Sequence, residues 1–242
     1  MRLSNIIITL TLILLYSKQI NKETILFLFS SILLLLFANF QNDYIDREID
    51  LKKGKRKFII SPLLQLSLMI ISLIISIFIN VKTFILFSIM AILINFYNLF
   101  ATKKPYGFLI TSLIITLGIL NLGFAFGFKE NLIYLLIFAF LFNTLREIVK
   151  SFIDYNYDFG FRETIAIKIS KQKTKILIKF LLLFVLISLI ICSIFINNLK
   201  FWVYTIFSVF ITMPYFLNVY NEKIFSNFLK LLMFLGFLAL LL

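Results

Sequence analysis

Histidine is absent from this sequence of 242 residues, and cysteine occurs only once, at Cys192. The absence of histidine removes the commonest general base and the commonest ligand of transition metals. A single cysteine cannot form a disulfide within the chain, and it rules out a site built from several thiolates. Any metal that this protein binds must therefore be held by oxygen ligands.

Charged residues are also scarce, at 14%, whereas 62% of the residues are hydrophobic. The mean hydropathy is +1.04, and soluble domains are nearer half apolar, so the composition indicates an integral membrane protein. The apolar runs are continuous rather than alternating, which favours membrane helices over membrane strands. We predict an all-α, polytopic bundle of about nine transmembrane helices, at residues 3–20, 24–41, 60–80, 83–101, 107–128, 131–149, 175–196, 199–219 and 225–242.

The first apolar run could also be a signal peptide. It lacks a small-residue cleavage site, and a second apolar run follows closely, so we interpret it as the first span. The chain has three prolines and no Pro- or Ser-rich linker. We therefore predict one domain over residues 1–242.

The formal charge is +13, which in a soluble protein would suggest a nucleic-acid partner. Here the basic residues flank the apolar runs, so we attribute them to the positive-inside rule and expect no nucleic acid. With nine spans, nineteen of the 24 lysines and arginines fall on one side of the membrane and five on the other. The asymmetry predicts a multi-pass protein of the plasma membrane with a cytoplasmic N-terminus. The two long polar connections, 42–59 and 150–174, are then both cytoplasmic.

The few acidic residues are concentrated in or beside these two connections. Eight of the eleven lie there, including every aspartate: Asp43, Asp46, Glu48, Asp50, Glu147, Asp154, Asp158 and Glu163. The first three aspartates are spaced i, i+3 and i+7, which places them on one helix face. The last two are spaced i and i+4, which also places them on one face.

Clustered carboxylates repel one another, so they need a positive partner to remain ionised together. Neighbouring lysines and arginines could supply it, and so could a divalent cation. Mg²⁺ prefers oxygen ligands and often completes its shell with substrate phosphate. Two acidic faces with basic residues around them would suit a diphosphate bridged by Mg²⁺. The alternative is a pair of solvated loops whose charges only fix the topology.

Two segments resemble the motifs of a known family. The segment NDYIDREID, residues 42–50, resembles the N-D-x-x-D-x-x-x-D motif of the UbiA-type intramembrane prenyltransferases. The segment REIVKSFIDYNYD, residues 146–158, resembles the second motif of that family, R-E-x-x-K-D-x-x-D-x-x-x-D. The resemblance implies a nine-span helical bundle with both motifs on the cytoplasmic side.

The resemblance also implies a function, a cofactor and a set of site residues. The expected reaction is Mg²⁺-dependent transfer of an isoprenyl group from a prenyl diphosphate, such as geranylgeranyl diphosphate, to a lipophilic acceptor. The implied metal ligands are Asp43, Asp46, Asp50, Asp154 and Asp158. All of these except Asp50 are also implied to be catalytic. The implied substrate-binding residues are Asn39, Asn42, Tyr97, Lys103, Lys104, Arg146 and Lys150. For the basic residues among these, snorkelling at the membrane interface is the alternative role.

The chain departs from the family pattern at Ser151, Ala101 and Phe108, where the family often has Asp, Lys and Asn. We favour a prenylated glycerol phosphate as the acceptor, as in the archaeal ether-lipid branch of the family, because the basic loops would suit a phosphorylated substrate. An aromatic quinone precursor and a haem are the alternatives. Two further classes stay open, a non-catalytic family member and a cation transporter. A transporter should carry its carboxylates at mid-membrane depth, whereas these lie at span ends.

Overall fold

The computed structural model describes residues 3–54 and 57–241, with side chains from residue 5 onward. In these residues the regular secondary structure is helical. Arg2, Lys55 and Arg56, which contribute to the predicted charge asymmetry, lie outside the described residues. The helices are α1 (Leu3–Ser17), α2 (Lys22–Ile45), α3 (Arg47–Lys52), α4 (Pro62–Ile77), α5 (Val81–Leu99), α6 (Gly107–Phe126), α7 (Leu132–Ile153), α8 (Tyr155–Asp158), α9 (Ile165–Ile169), α10 (Lys171–Ile196), α11 (Leu199–Phe216) and α12 (Glu222–Leu241), with a short 3-10 turn at Ala101–Lys103.

Seven of the described helices are long and apolar enough to cross a membrane: α2, α5, α6, α7, α10, α11 and α12. Two more are apolar but shorter, Asn5–Ser17 within α1 and Pro62–Ile77, which is α4. These nine helices correspond in position to the nine predicted spans. The prediction of an all-helical, multi-pass membrane protein is confirmed, whereas the count of nine spans and the cytoplasmic N-terminus stay predictions.

Short polar side chains fix where several of the membrane helices begin. Asn21 Oδ1 accepts a hydrogen bond of 2.8 Å from Thr24 N at the start of α2, and Asn80 Oδ1 accepts one of 2.8 Å from Thr83 N at the start of α5. Ser61 caps α4 in the same way, followed by Pro62 in the first turn. Each cap satisfies a backbone N–H that a helix start leaves without a partner.

The chain forms two compact units, of which the first comprises Met1–Thr102 and Leu117–Lys129. Its centre is α2, which packs against α4, α5 and α1. Ser30 on α2 and Ser72 on α4 are fully buried, and each hydroxyl donates to the other residue's carbonyl oxygen at 2.8 Å. Small residues that exchange hydrogen bonds allow membrane helices to approach closely, so this pair fixes α2 against α4.

The second unit comprises Lys103–Thr116 and Glu130–Leu242. Its central helix is α7, which packs against α10 and α12. In α7, 56% of an 18-residue window is buried, against at most 39% in every other candidate span of the described chain. The second acidic segment lies at the end of α7, and it is therefore attached to the most buried membrane helix of its unit.

Tyr16, at the end of α1, joins that helix to the segment after α6 within the first unit. Its side chain is fully buried, and its hydroxyl donates to Gly127 O at 2.9 Å and accepts from Lys129 N at 3.3 Å. The Lys129 ammonium also contacts Tyr16 O and lies 4.4 Å from the centre of the tyrosine ring. One hydroxyl therefore satisfies two backbone groups at this end of the unit.

We expect the substitution Tyr16→Phe to lower the free energy of unfolding by about 1–3 kcal/mol, because it leaves buried polar groups without a partner. The measurement is thermal unfolding of the purified protein in detergent. Tyr106→Phe is the matched control, since Tyr106 is 44% exposed. Equal melting temperatures for the two variants would contradict the stabilising role of the Tyr16 hydroxyl.

Candidate functional site

The first acidic cluster, Asp43, Asp46 and Asp50, lies where α2 passes into α3. Asp46 separates the two helices, but Asp46 N donates to Asn42 O at 2.9 Å and Asp50 N donates to Asp46 O at 2.8 Å. The helical hydrogen-bond pattern therefore continues across the junction. Asp43, Asp46 and Asp50 keep the i, i+3, i+7 register that the sequence predicts.

Lys57 is the partner that brings two of these carboxylates together. Its ammonium contacts Asp43 Oδ1, and it lies 2.7 Å from Asp50 Oδ2 as an ion pair. The side chains of Asp43, Asp50 and Lys57 are only 14%, 11% and 26% exposed. Sequence reasoning did not single out Lys57, which is one of six basic residues in residues 47–57.

Amide side chains surround the start of the first cluster. Asn42 Nδ2 donates to Asp46 Oδ2 at 2.5 Å, so this amide contacts a carboxylate of the cluster directly. Asn39 lies one turn earlier, and its Nδ2 is buried without a hydrogen-bond partner among the described residues. Both residues were singled out from the sequence.

A network of three further amides, which the sequence did not predict, joins α2 to α5. Gln41 Nε2 donates to Asn95 Oδ1, and Asn98 Nδ2 donates to Gln41 Oε1, both at 2.8 Å. Tyr97, the aromatic candidate, is half-buried on α5 between these two asparagines. The network fixes the end of α2 against the helix that carries Tyr97.

The second acidic cluster lies at the end of α7. Asp154 ends that helix, and Asp158 N donates to Asp154 O at 3.0 Å within the short helix α8. Asp158 is only 3% exposed. Gly160, with a φ of +83°, turns the chain after α8 so that Phe161 N and Arg162 N both donate to Asp158 O. The predicted i, i+4 pair therefore forms a tight helical turn with a buried carboxylate.

Glu147 lies between the two basic residues that were predicted to bind diphosphate. Arg146 Nη1 is 3.0 Å from Glu147 Oε1, and Lys150 Nζ is 3.4 Å from Glu147 Oε2. All three side chains are on the last turns of α7. Arg146 and Lys150 thus share one carboxylate, and their positive charges lie close together.

Ser151, which replaces the usual family aspartate, has a structural contact. Its Oγ accepts a hydrogen bond of 3.2 Å from Ala166 N, at the start of α9. Lys103 O accepts a hydrogen bond of 3.1 Å from Glu163 N, so the turn that carries the exposed Lys103 and Lys104 is attached to the connection after Asp158. Both contacts lie within the second unit.

Arg162 is a basic residue of this connection that sequence reasoning missed. Burial lowers the pKa of its guanidinium to about 10, because desolvation disfavours the charged form. This pKa is still well above neutrality, so Arg162 remains a cation at pH 7. Its place four residues after Asp158 adds a half-buried positive charge to the second acidic segment.

Carboxylates alone do not complete a metal site in the described chain. Within residues 3–54 and 57–241, no three His, Cys, Asp or Glu side chains form a group that could hold a metal ion. Mg²⁺ in proteins is commonly held by one or two carboxylates plus substrate phosphates and water. The acidic clusters have the donor chemistry for that mode of binding.

These observations define an all-helical, multi-pass membrane protein in which two membrane helices end in acidic segments that also carry basic residues. The model of the UbiA prenyltransferase family matches residues 5–238. The chain therefore belongs to the UbiA prenyltransferase family, whose members transfer prenyl groups. The family resemblance inferred from the two motifs is confirmed.

Solved structures show the same fold over nearly the whole chain. A digeranylgeranylglyceryl phosphate synthase is 24% identical, with a TM-score of 0.73 over 98% of this chain and 91% of that chain. A UbiA homologue from Archaeoglobus fulgidus, bound to GPP and Mg²⁺, is 14% identical, with a TM-score of 0.70 over 99% and 97%. An apo UbiA homologue from Aeropyrum pernix K1 is 12% identical, with a TM-score of 0.72 over 99% and 96%. A comparison with curated proteins finds no match.

Proposed function

We propose that this protein is a Mg²⁺-dependent prenyltransferase of the plasma membrane that acts on a prenyl diphosphate and a prenylated glycerol phosphate, as one domain over residues 1–242. The observation that carries the proposal is the pair of carboxylates, Asp43 and Asp50, that converge on one cation at the end of a membrane-length helix. The solved homologue bound to GPP and Mg²⁺ supports the cofactor and the donor substrate. The similarity to a digeranylgeranylglyceryl phosphate synthase supports the acceptor.

The residues of both acidic clusters fit a hard divalent cation. Carboxylate oxygens are the ligands that Mg²⁺ prefers, and Asp43 and Asp50 already share a positive partner. We assign metal binding to Asp43, Asp46 and Asp50 in the first unit and to Asp154 and Asp158 in the second. When bound, Mg²⁺ neutralises charge on the diphosphate and so makes it a better leaving group.

The basic residues of the second unit would stabilise the departing diphosphate. In the reaction, the allylic C–O bond of the donor breaks and its electron pair leaves with the diphosphate. Arg146 and Lys150 supply donors that share the developing negative charge, and Lys103 and Lys104 add to them. The acceptor hydroxyl oxygen then bonds to the allylic carbon and releases its proton. The face of the Tyr97 ring would stabilise the positive charge on that carbon.

The test is an assay of the purified protein in detergent with a labelled C20 prenyl diphosphate. Each acceptor class is supplied in turn: a prenylated glycerol phosphate, an aromatic quinone precursor and a haem. We expect product with the glycerol phosphate, and we expect EDTA to abolish its formation and added Mg²⁺ to restore it. If product formed only with the quinone precursor or only with the haem, that compound would be the acceptor instead.

Two further outcomes would overturn the enzymatic proposal itself. The absence of product with every acceptor, together with ion flux through liposomes, would indicate a cation transporter. The absence of both product and flux, with retained binding of Mg²⁺ and diphosphate, would indicate a non-catalytic member of the family. Both assays use the full chain, so the outcomes are directly comparable.

A further inference from the structure

We propose that Lys57 is an internal counter-ion that preorganises the first acidic cluster and competes with the metal for the same carboxylate oxygens. This inference rests on the proposed function, because it assumes that Asp43 and Asp50 bind a divalent cation. It assigns a positioning role to a residue outside the expected set of ligands.

The geometry carries the inference. Lys57 is the basic residue whose ammonium contacts both Asp43 Oδ1 and Asp50 Oδ2. The two carboxylates are seven residues apart on one helical face, and each is at most 14% exposed. Two ionised carboxylates so placed repel each other strongly, because little water screens them. A cation between them removes that repulsion and holds both oxygens towards one point.

The chain around Lys57 keeps the ammonium in place. Lys57 begins an extended segment that leads to Ile60, which is 7% exposed. Gln65, also buried, donates from Nε2 to Ile60 O at 3.0 Å, and Ser61 caps α4 directly after it. The chain is thus anchored at Ile60, three residues after Lys57.

A divalent cation bound to these carboxylates would repel the Lys57 ammonium and would compete with it for Asp43 Oδ1 and Asp50 Oδ2. Bound metal would therefore weaken the contact of Lys57 with at least one of the two carboxylates. Lys57 therefore lowers the affinity of the cluster for the metal, while it stabilises the cluster when no metal is present. Each effect has its own measurement.

The first measurement is metal binding without substrate, with MnCl₂ as the probe, followed by electron paramagnetic resonance of the full-length protein in detergent. We expect Lys57→Met to tighten Mn²⁺ binding about five- to tenfold, within the usual range of coupling between two ligands. Lys57→Arg should leave the affinity near that of the wild type. Lys168→Met removes one charge from an exposed site on α9 and controls for net charge. Unchanged or weaker Mn²⁺ binding in Lys57→Met would overturn the inference.

The second measurement is thermal stability without metal. Lys57→Met should melt at a lower temperature than the wild type, and Lys57→Arg should restore the loss. In a background that carries Asp43→Asn, the same Lys57→Met change should have a smaller effect, because one of the repelling charges is already absent. An equal effect in both backgrounds would show that Lys57 acts by packing, and this would overturn the counter-ion role.

The two measurements also separate this inference from the proposed function. Failure of the wild-type protein to bind Mn²⁺ would overturn the metal assignment, and with it the proposed competition. Normal Mn²⁺ binding without prenyl transfer would overturn the proposed reaction but leave the competition intact.

Discussion

Asparagine in place of Asp43 or Asp158 is expected to reduce Mg²⁺-dependent prenyl transfer about 100-fold or more, as does the loss of one preorganised electrostatic contact in other enzymes. The substitution keeps the size of the side chain and removes only its negative charge. Asp158 is 3% exposed, and Asp43 shares a cation with Asp50. Each change therefore removes a charge from a site that water screens poorly.

The assay is product formation from labelled prenyl diphosphate over a range of Mg²⁺ concentrations. Glu48→Gln and Glu163→Gln are matched controls, because each makes the same charge change in the same connection at an exposed position. We expect these controls to stay within about threefold of the wild type, since exposed charges interact weakly. If Asp43→Asn were as active as Glu48→Gln, Asp43 would not be part of the active site.

The substitution Gly236→Ala is expected to destabilise the second unit by about 1–3 kcal/mol through overpacking. A Cβ atom at Gly236, on α12, would overlap the end of the Phe138 ring on α7. The Phe138 ring cannot move aside easily, because its centre is 4.4 Å from that of Phe142, 5.5 Å from that of Phe237 and 5.9 Å from that of Tyr204. The new methyl group must therefore separate α12 from α7.

Thermal unfolding in detergent measures this loss, and Gly118→Ala is its control. A Cβ atom at Gly118 would meet only the flexible end of Met90, at 3.4 Å, so its effect should be small. The double variant Gly236→Ala with Phe138→Leu should regain part of the stability, because the smaller side chain makes room. A Gly236→Ala protein as stable as Gly118→Ala would contradict the close contact.

Hydropathy located the membrane helices well, but it did not locate their ends. The second and sixth predicted spans stop at residues 41 and 149, whereas α2 continues to Ile45 and α7 to Ile153. The apolar pattern records where lipid contact ends, but a helix can continue into water through polar residues. The extra turns matter, because they place Asp43 and Lys150 on helices rather than in loops.

The spacing of the aspartates predicted their shared faces, because helix geometry is local. The partners of the charged groups could not be predicted in this way. Nothing in the sequence distinguishes Lys57 from its basic neighbours, since its contact with Asp43 depends on tertiary packing. The pairing of Glu147 with Arg146 and Lys150, and the burial of Arg162, depend in the same way on tertiary packing.

The reciprocal hydrogen bonds between Ser30 and Ser72 fix α2 against α4, and the first acidic cluster begins near the end of the same α2. Thirteen residues of helix, about 20 Å, separate Ser30 from Asp43. One residue inserted into this stretch would rotate Asp43 by about 100° relative to Ser30, and so away from Lys57. The number of residues between Ser30 and Asp43 should therefore be constrained, although most of them form no part of the acidic cluster.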